Sequence, residues 1–232
     1  MRTLRWTGLG LLLLLITGCI RVDQTLSLNA DGSGRLDMRY GMAEQTIAQL
    51  EAMEQMSQGL GEGIEMQQQS PFEFDEEAVR EQFEADKPAG VELVSVSSEV
   101  VDGWKYIDLT LEFDDLRALK KTELFQDSQL SISREDNGNY VLEQKSAGGE
   151  DVQTGDPRMQ QQMAAMFAGL RIANSVVVPG EVIETNATAV NGNRVSWVFD
   201  IDKDPDVIAK LQDTDLRVVF AGDGIKLPTI VP

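Results

Sequence analysis

No histidine occurs among the 232 residues of this chain, and cysteine occurs only once, at position 19. Histidine is the commonest general base and transition-metal ligand, so its absence excludes Ser-His and Cys-His nucleophile pairs. A single cysteine excludes an internal disulfide and the usual Cys/His zinc sites. Serine is never followed three residues later by lysine, which removes another route to an activated serine. We therefore predict a non-enzymatic protein with no catalytic residue, metal site or cofactor.

Basic residues are also scarce, since 20 lysines and arginines face 39 acidic residues and give a formal net charge of −19. Nucleic acids and anionic head groups are bound through clustered Lys and Arg, and the sequence shows no such run. We therefore predict that nucleic acid is not a partner. Hydrophobic residues make up 42% of the chain, which is enough to build a folded core.

The longest apolar run, Leu9–Ile16, is too short to span a bilayer and follows Arg2 and Arg5, as in the signal peptide of an exported protein. It ends in Ile16-Thr17-Gly18-Cys19, a tetrapeptide that resembles the lipobox of bacterial lipoproteins. An ordinary secretory signal would end in small residues and would need no cysteine. The alternative is a buried structural cysteine behind an ordinary signal peptide.

The lipobox resemblance implies cleavage between Gly18 and Cys19, a diacylglyceryl group on the Cys19 thiol and acylation of the new amino terminus. Two or more acyl chains hold a protein stably on a membrane. The membrane is therefore the predicted partner of Cys19, and the protein is expected on the extracytoplasmic face. Because Ile20 stands where an aspartate would signal retention at the inner membrane, we expect the outer membrane if the host has two.

Alternating apolar and polar residues, separated by Gly, Asp and Asn turns, predict three hairpins and then further strands. Isolated helical patterns interrupt them, so the predicted fold is α+β, with an antiparallel sheet of hairpins and several helices packed on it. We divide the chain into a signal peptide (1–18), a single extracytoplasmic domain (19–221) and a C-terminal tail (222–232). The predicted strands are 20–29, 35–42, 91–100, 104–113, 130–134, 140–145, 171–178, 181–186, 194–201 and 216–221. The predicted helices are 43–58, one from Asp75, a short connector over 114–121, one from Pro157, and one capped by Asp204 with Pro205 first.

The helix predicted from Pro157 carries an apolar stripe of Met159, Met163, Met166, Phe167 and Leu170. Methionine side chains adapt to irregular ligands, so this stripe could form the wall of a slot for an acyl chain between helix and sheet. Met159, Met163, Met166 and Phe167 are the candidate ligand-binding residues. The alternative is ordinary packing of the helix on the core.

Acidic residues suggest two further chemistries that the sequence leaves open. Asp200, Asp202, Asp204 and Asp206 alternate, as carboxylates around a calcium ion can, but Pro205 occupies the place where the loop would need glycine. Helix capping explains Asp204 and Asp206 without a metal. Adjacent acids such as Asp114 and Asp115 could serve a hydrolase only if they flanked a cleft at a defined separation.

Two stretches of the chain are similar to the LppM-type family of bacterial lipoproteins. One runs from Cys19-Ile20-Arg21-Val22-Asp23 to Asp31-Gly32-Ser33-Gly34. The other runs from Val178-Pro179-Gly180-Glu181-Val182 through Asn186 to Asn191-Gly192-Asn193-Arg194-Val195-Ser196-Trp197. Together they cover about a fifth of the chain, and the middle, Ala43–Lys145, matches no family. The resemblance implies an extracytoplasmic α+β domain with lipid binding and no catalytic residues.

These observations lead to one prediction and one alternative. The prediction is a lipid-anchored, non-enzymatic protein of the cell envelope that binds an amphiphilic or lipid ligand. The alternative is a structural or protein-interaction module whose acidic surface meets a basic partner and which has no ligand cavity. The sequence names neither the ligand nor a protein partner.

Overall fold

The computed structural model describes residues 20–59, 73–122, 124–125, 128–145, 168–204 and 206–230. Within these ranges the strands are β1 Ile20–Leu28, β2 Gly34–Ala43, β3 Val91–Val101, β4 Trp104–Phe113, β5 Gln129–Arg134, β6 Tyr140–Lys145, β7 Arg171–Val177, β8 Val182–Thr185, β9 Ala189–Asn191, β10 Arg194–Asp200 and β11 Leu216–Phe220. The helices are α1 Glu44–Gly59, α2 Glu76–Asp86, α3 Leu116–Leu119 and α4 Val207–Asp213. The mixture of strands and helices agrees with the predicted α+β class.

Seven strands form the larger sheet, in the order β3-β4-β2-β1-β7-β10-β9. The predicted hairpins β1–β2 and β3–β4 are present and antiparallel. However, β1 pairs with β7 in parallel, from Arg21 opposite Arg171 to Ser27 opposite Val177. The prediction of a purely antiparallel sheet is therefore wrong. The long stretch of chain between these strands supplies the crossover that a parallel pair requires.

The remaining four strands form a second sheet, in the order β5-β6-β11-β8, whereas the sequence predicted one sheet. Pro179 and Gly180 lie between β7 in the first sheet and β8 in the second. A Cβ at Gly180 would lie 2.1 Å from the carbonyl oxygen of Ala221, so only glycine allows this close approach of two backbones. The chain changes sheets at this bend.

A hydrophobic cluster joins the two sheets, with fully buried side chains from both. Leu36, Ile107 and Trp197 belong to the larger sheet, and Ile132 and Phe220 to the smaller one. Helices α1 and α2 cover this core through Ile47, Leu50, Val79 and Phe83. Alternation along the strands therefore leaves the opposite face of the larger sheet outside the core.

The C-terminal segment that we separated as a tail, 222–232, contributes two side chains to the core. Ile225 and Ile230 are buried, and Ile230 exchanges backbone hydrogen bonds of 2.8 and 2.9 Å with Ile132 in β5. Their burial removes apolar surface from water. As far as residue 230, the segment is part of the fold.

Two helix starts show how capping places the helices. Helix α2 begins at Glu76, close to the predicted start at Asp75, and Asp75 caps it because its Oδ1 accepts hydrogen bonds of 3.0 Å from the backbone amides of Glu77 and Ala78. By contrast, α4 begins at Val207 with Asp206 as its N-cap, so the prediction that Asp204 caps this helix is wrong. Asp204 instead accepts a hydrogen bond of 3.1 Å from the Asp206 amide and pairs with Lys210.

Candidate functional site

The face of the larger sheet that points away from the core is polar and carries five arginines. They are Arg21 on β1, Arg35 and Arg39 on β2, Arg171 on β7 and Arg194 on β10. Each is an odd number of positions from the core residues of its strand, which places all five on the face opposite the core. We call this surface the arginine face.

Carboxylates neutralise three of these arginines. Arg171 pairs with Asp23 at 2.6 Å, Arg35 pairs with Asp37 at 2.8 Å, and Arg39 pairs with Asp108 at 2.8 Å and also with Glu99. Ion pairs that are this exposed to solvent contribute little to stability. Their main effect is to hold the guanidinium groups in place across the strands.

Arg21 and Arg194 take part in none of the ion pairs in the described part of the chain. The Arg21 guanidinium lies 3.9 Å above the centre of the Trp104 ring and donates a 3.2 Å hydrogen bond to the Tyr106 hydroxyl. Arg194 donates a 3.2 Å hydrogen bond to the Thr25 hydroxyl. These two guanidinium groups are therefore held by aromatic or hydroxyl groups rather than by a direct ion pair in the described part of the chain.

Gly41 makes room for the aromatic part of this face. A Cβ at Gly41 would lie 2.3 Å from Cδ1 of Tyr106, so the tyrosine ring lies over the glycine on the neighbouring strand. The ring stacks on Trp104 with their centroids 6.2 Å apart, and the Arg39 guanidinium lies 4.2 Å from its centre. Gly41 thus permits an aromatic pair with two arginines above it.

Two neighbouring depressions open on the arginine face and share Asp23 and Arg39. The central depression has a volume of about 320 Å³. The second, of about 450 Å³, lies at the end of the sheet where β1 begins, and we call it the end recess. Its lining residues are Arg21, Asp23, Arg39, Val101, Asp102, Tyr106, Gly169, Arg171, Asp200 and Asp202. Three arginines and four aspartates therefore nearly balance in charge.

Arginine and lysine keep two carboxyl groups of this face ionised. Burial alone would raise the pKa of Asp37, but hydrogen bonds from Arg35 and Thr110, with the charges of Arg35 and Arg194, hold it below its usual range. A hydrogen bond and the charge of Lys203 lower the pKa of Asp200. A carboxylic acid that delivers protons near neutral pH needs the opposite shift. These two groups are ionised and can accept hydrogen bonds, but they hold no proton to donate near neutral pH.

The alternating aspartates stay close to the backbone and to lysines. Asp200 pairs with Lys203 at 2.8 Å, and Asp202 accepts a 3.2 Å hydrogen bond from the amide of Gly169. Among the described residues no group of three acidic side chains is arranged to hold a metal ion.

The residues predicted for signal cleavage, lipidation and ligand binding lie outside the described residues. Gly18 and Cys19 precede them, and the apolar stripe Met159, Met163, Met166 and Phe167 falls in the gap before residue 168. These assignments stay predictions. Gly169, which lines the end recess, follows Phe167 by two residues in the sequence.

The arginine face was not predicted from the sequence, because a basic surface was expected to show as a run of Lys and Arg along the chain. The informative signal is an alternation with a period of two, as in Arg21-Val22-Asp23 and in Arg35-Leu36-Asp37-Met38-Arg39. Alternation of charged and apolar residues marks one polar face on a strand. Since each strand carries only one or two arginines, the cluster exists only once the strands are paired.

Fold and site together define an α+β domain whose mixed sheet has a core on one face and a charge-balanced polar recess on the other. In the described part of the chain no helix is long and apolar enough to cross a membrane. The model of the LppM domain matches residues 21–213, and the chain therefore belongs to the LppM domain family of lipoproteins. This confirms the resemblance seen in the sequence.

One solved structure and the curated proteins complete the comparison. The folded domain of LppM from Mycobacterium tuberculosis, determined by NMR, is similar with a TM-score of 0.42 and 14% sequence identity. The similarity covers 88% of this chain and 91% of that chain. No curated protein matches.

Proposed function

We propose that this protein is a lipid-anchored, non-enzymatic domain of the bacterial cell envelope that binds an amphiphilic ligand at the end recess. The LppM family and the lipobox-like Ile16–Cys19 support the anchor and the envelope location. In a host with two membranes, Ile20 after the cysteine favours the outer one. The proposed ligand binding rests on the end recess.

One observation supports the ligand assignment: a residue that lines the polar recess follows the segment with the predicted methionine stripe closely in the sequence. Gly169 lines the recess, and Phe167 is the last residue of the stripe that we predict to contact the ligand. An amphiphile needs polar groups for its head and an adaptable apolar wall for its chain. We assign the head to the end recess and the chain to Met159, Met163, Met166 and Phe167.

The charge balance of the recess favours a neutral or zwitterionic head group. A strongly anionic head would meet four aspartates, and a strongly cationic head would meet three arginines. Hydroxyl-rich or zwitterionic heads can use guanidinium donors and carboxylate acceptors together. Arg21 is the best placed donor because it is in none of the described ion pairs.

Two carboxyl groups of the arginine face support binding rather than catalysis. The lowered pKa values of Asp37 and Asp200 keep these carboxyl groups ionised, and the chain offers no histidine for proton transfer. The carboxylates therefore act as hydrogen-bond acceptors with fixed positions.

Native mass spectrometry of the full chain, matured in a lipoprotein-processing host and released from detergent, tests this function. We expect a discrete added mass that is lost on denaturation and identifies a lipid with a neutral or zwitterionic head. The variant Arg21→Gln should retain little of the bound ligand. The variant Met163→Asp should also retain little, while its circular dichroism spectrum stays that of the folded protein.

The matched control is Arg134→Gln on the other sheet. Like Arg21, Arg134 lies over an aromatic ring, that of Tyr140, and takes part in none of the described ion pairs. It should retain the ligand. A bare protein, or equal ligand retention in both arginine variants, contradicts the proposal and favours the interaction module. Unfolding of Met163→Asp contradicts the assignment of the stripe and places it in the core.

A further inference from the structure

The turn between β3 and β4 exposes apolar side chains at the end of the larger sheet. Asp102 and Gly103 form a two-residue turn with φ angles of 52° and 76°, the pattern of a tight type I′ hairpin. Beside them, 54% of Val100 and 41% of Val101 are exposed, and Trp104 is half-buried. We call Val100, Val101 and Trp104 the hairpin tip.

The hairpin tip lies at the same end of the sheet as the first residue after the predicted anchor. Val100 pairs with Lys105, Lys105 with Met42, and Met42 with Ile20. Three strand spacings of about 4.8 Å place Val100 roughly 14 Å from Ile20 along this row. Since consecutive Cα atoms are about 3.8 Å apart, no linker separates Cys19 from the sheet.

Contacts fix the hairpin tip to the strand that carries the anchor. The backbone amide of Glu44, where α1 begins, donates a 2.9 Å hydrogen bond to the carbonyl of Gly103. The Arg21 guanidinium on β1 lies 3.9 Å from the Trp104 ring. The tip is thus held in a fixed position relative to Ile20, rather than at the end of a free loop.

Charge indicates what kind of surface the tip can meet. Arg21 and Lys105 lie beside it, but Asp102 is in the turn itself and the whole chain has a net charge of −19. A strongly anionic surface would repel such a protein, so contact must come from apolar side chains. Valine, tryptophan and flanking cationic residues together suit the zone between lipid head groups and acyl chains.

We infer that the hairpin tip docks on the phospholipid bilayer that holds the anchor and fixes the orientation of the domain on the membrane. This inference rests on the proposed lipidation of Cys19. The tether makes docking intramolecular, so that a small apolar contact is sufficient. Val101 also lines the end recess, and docking therefore places the mouth of the recess at the head groups.

An environment-sensitive label tests the docking in the full, lipidated chain. Cys19 is the only natural cysteine and is consumed by lipid, so Val100→Cys introduces the only free thiol for an NBD fluorophore. The matched control is Ile183→Cys in β8, because Ile183 is 53% exposed and belongs to the other sheet. On phosphatidylcholine vesicles we expect a blue shift and brightening at position 100 only.

Flotation of the same samples separates the two hypotheses. A chain that floats with the vesicles while both labels respond alike would overturn the docking and leave the anchor intact. A chain that does not float would overturn the proposed anchor, and the docking with it.

A second measurement uses the natural tryptophans of the mature chain, Trp104 and Trp197. Trp197 is only 1% exposed, so brominated acyl chains should quench the emission of Trp104 alone. Val101→Asp should abolish this quenching without loss of flotation, whereas Ile183→Asp should leave it unchanged. Equal quenching in the wild type and Val101→Asp would overturn the inference.

Discussion

The indole nitrogen of Trp197 donates a 3.0 Å hydrogen bond to Oδ1 of Asn186, and this bond connects the two sheets. Trp197 lies on β10 of the larger sheet, and Asn186 follows β8 of the smaller one. The same oxygen accepts a 3.0 Å hydrogen bond from the Arg217 amide, and the Asn186 amide donates to the Asp215 carbonyl at 2.6 Å. One side chain thus satisfies polar groups of both sheets.

Asn186→Ala should lower the free energy of unfolding by about 1 to 3 kcal/mol, because it leaves the buried indole N–H without its acceptor. Urea unfolding of this variant, of Trp197→Phe and of the double variant forms a double-mutant cycle. We expect a coupling of about 0.5 kcal/mol or more between the two positions. Strictly additive effects would show that the bond between the sheets contributes nothing to stability.

Because the chain has no histidine, the free energy of unfolding should be nearly constant between pH 6 and 8. It should fall in acid, where the carboxyl groups take up protons. The pKa of Asp37 is lowered in the folded state, so its contribution is complete above the unfolded value of about 3.9 and is lost as the pH falls through the folded pKa. Asp37→Asn should therefore reduce the acid dependence of the unfolding free energy, measured with urea from pH 7 to 3.

The control for this measurement is Asp223→Asn, which changes an exposed turn residue that is in none of the described ion pairs. A smaller change in Asp37→Asn than in this control would contradict the role of the Arg35 contact.

Gly41→Ala should displace the Tyr106 ring, because the new Cβ would lie within 2.3 Å of its Cδ1 atom. Arg21 would then lose its 3.2 Å hydrogen bond to the Tyr106 hydroxyl, and the end recess would change shape. We expect the copurified ligand mass to fall while the sheet stays folded by circular dichroism. Full ligand occupancy with a displaced ring would show that Tyr106 does not shape the binding site.

Cys19→Ala should reduce the incorporation of an alkyne-labelled fatty acid to background, because the chain then contains no thiol that could accept a lipid. Gel fluorescence after coupling the label, with the wild-type chain and Arg134→Gln alongside, measures this directly. Label that persists in Cys19→Ala would contradict lipidation at this residue.

Local sequence determined the hairpins well, since β1–β2, β3–β4 and β5–β6 each combine alternation with a turn of Gly, Asp or Asn. The parallel pairing of β1 with β7 could not be predicted, because local periodicity says nothing about a partner more than a hundred residues away. The short strand β9 was also missed, since three exposed residues carry no periodic signal.

The site was less predictable than the fold for the same physical reason. Arg21 and Arg171 are neighbours only because β1 and β7 pair, and the sequence of either strand alone does not indicate a basic patch. The burial of Ile225 and Ile230 likewise depends on the surface offered by β5 and β6, so the segment looked like a tail.

The position of β1 within the larger sheet also determines how the domain responds to mechanical load. All nine of its residues pair with β2 on one side, and seven of them, Arg21 to Ser27, pair with β7 on the other. Strand hydrogen bonds run across the strand axis, so a force pulling on the N-terminal end of β1 loads both ladders in shear. The bonds then share the load instead of opening one after another, and the strand that follows the predicted lipidation site is held at the middle of the sheet rather than at its edge.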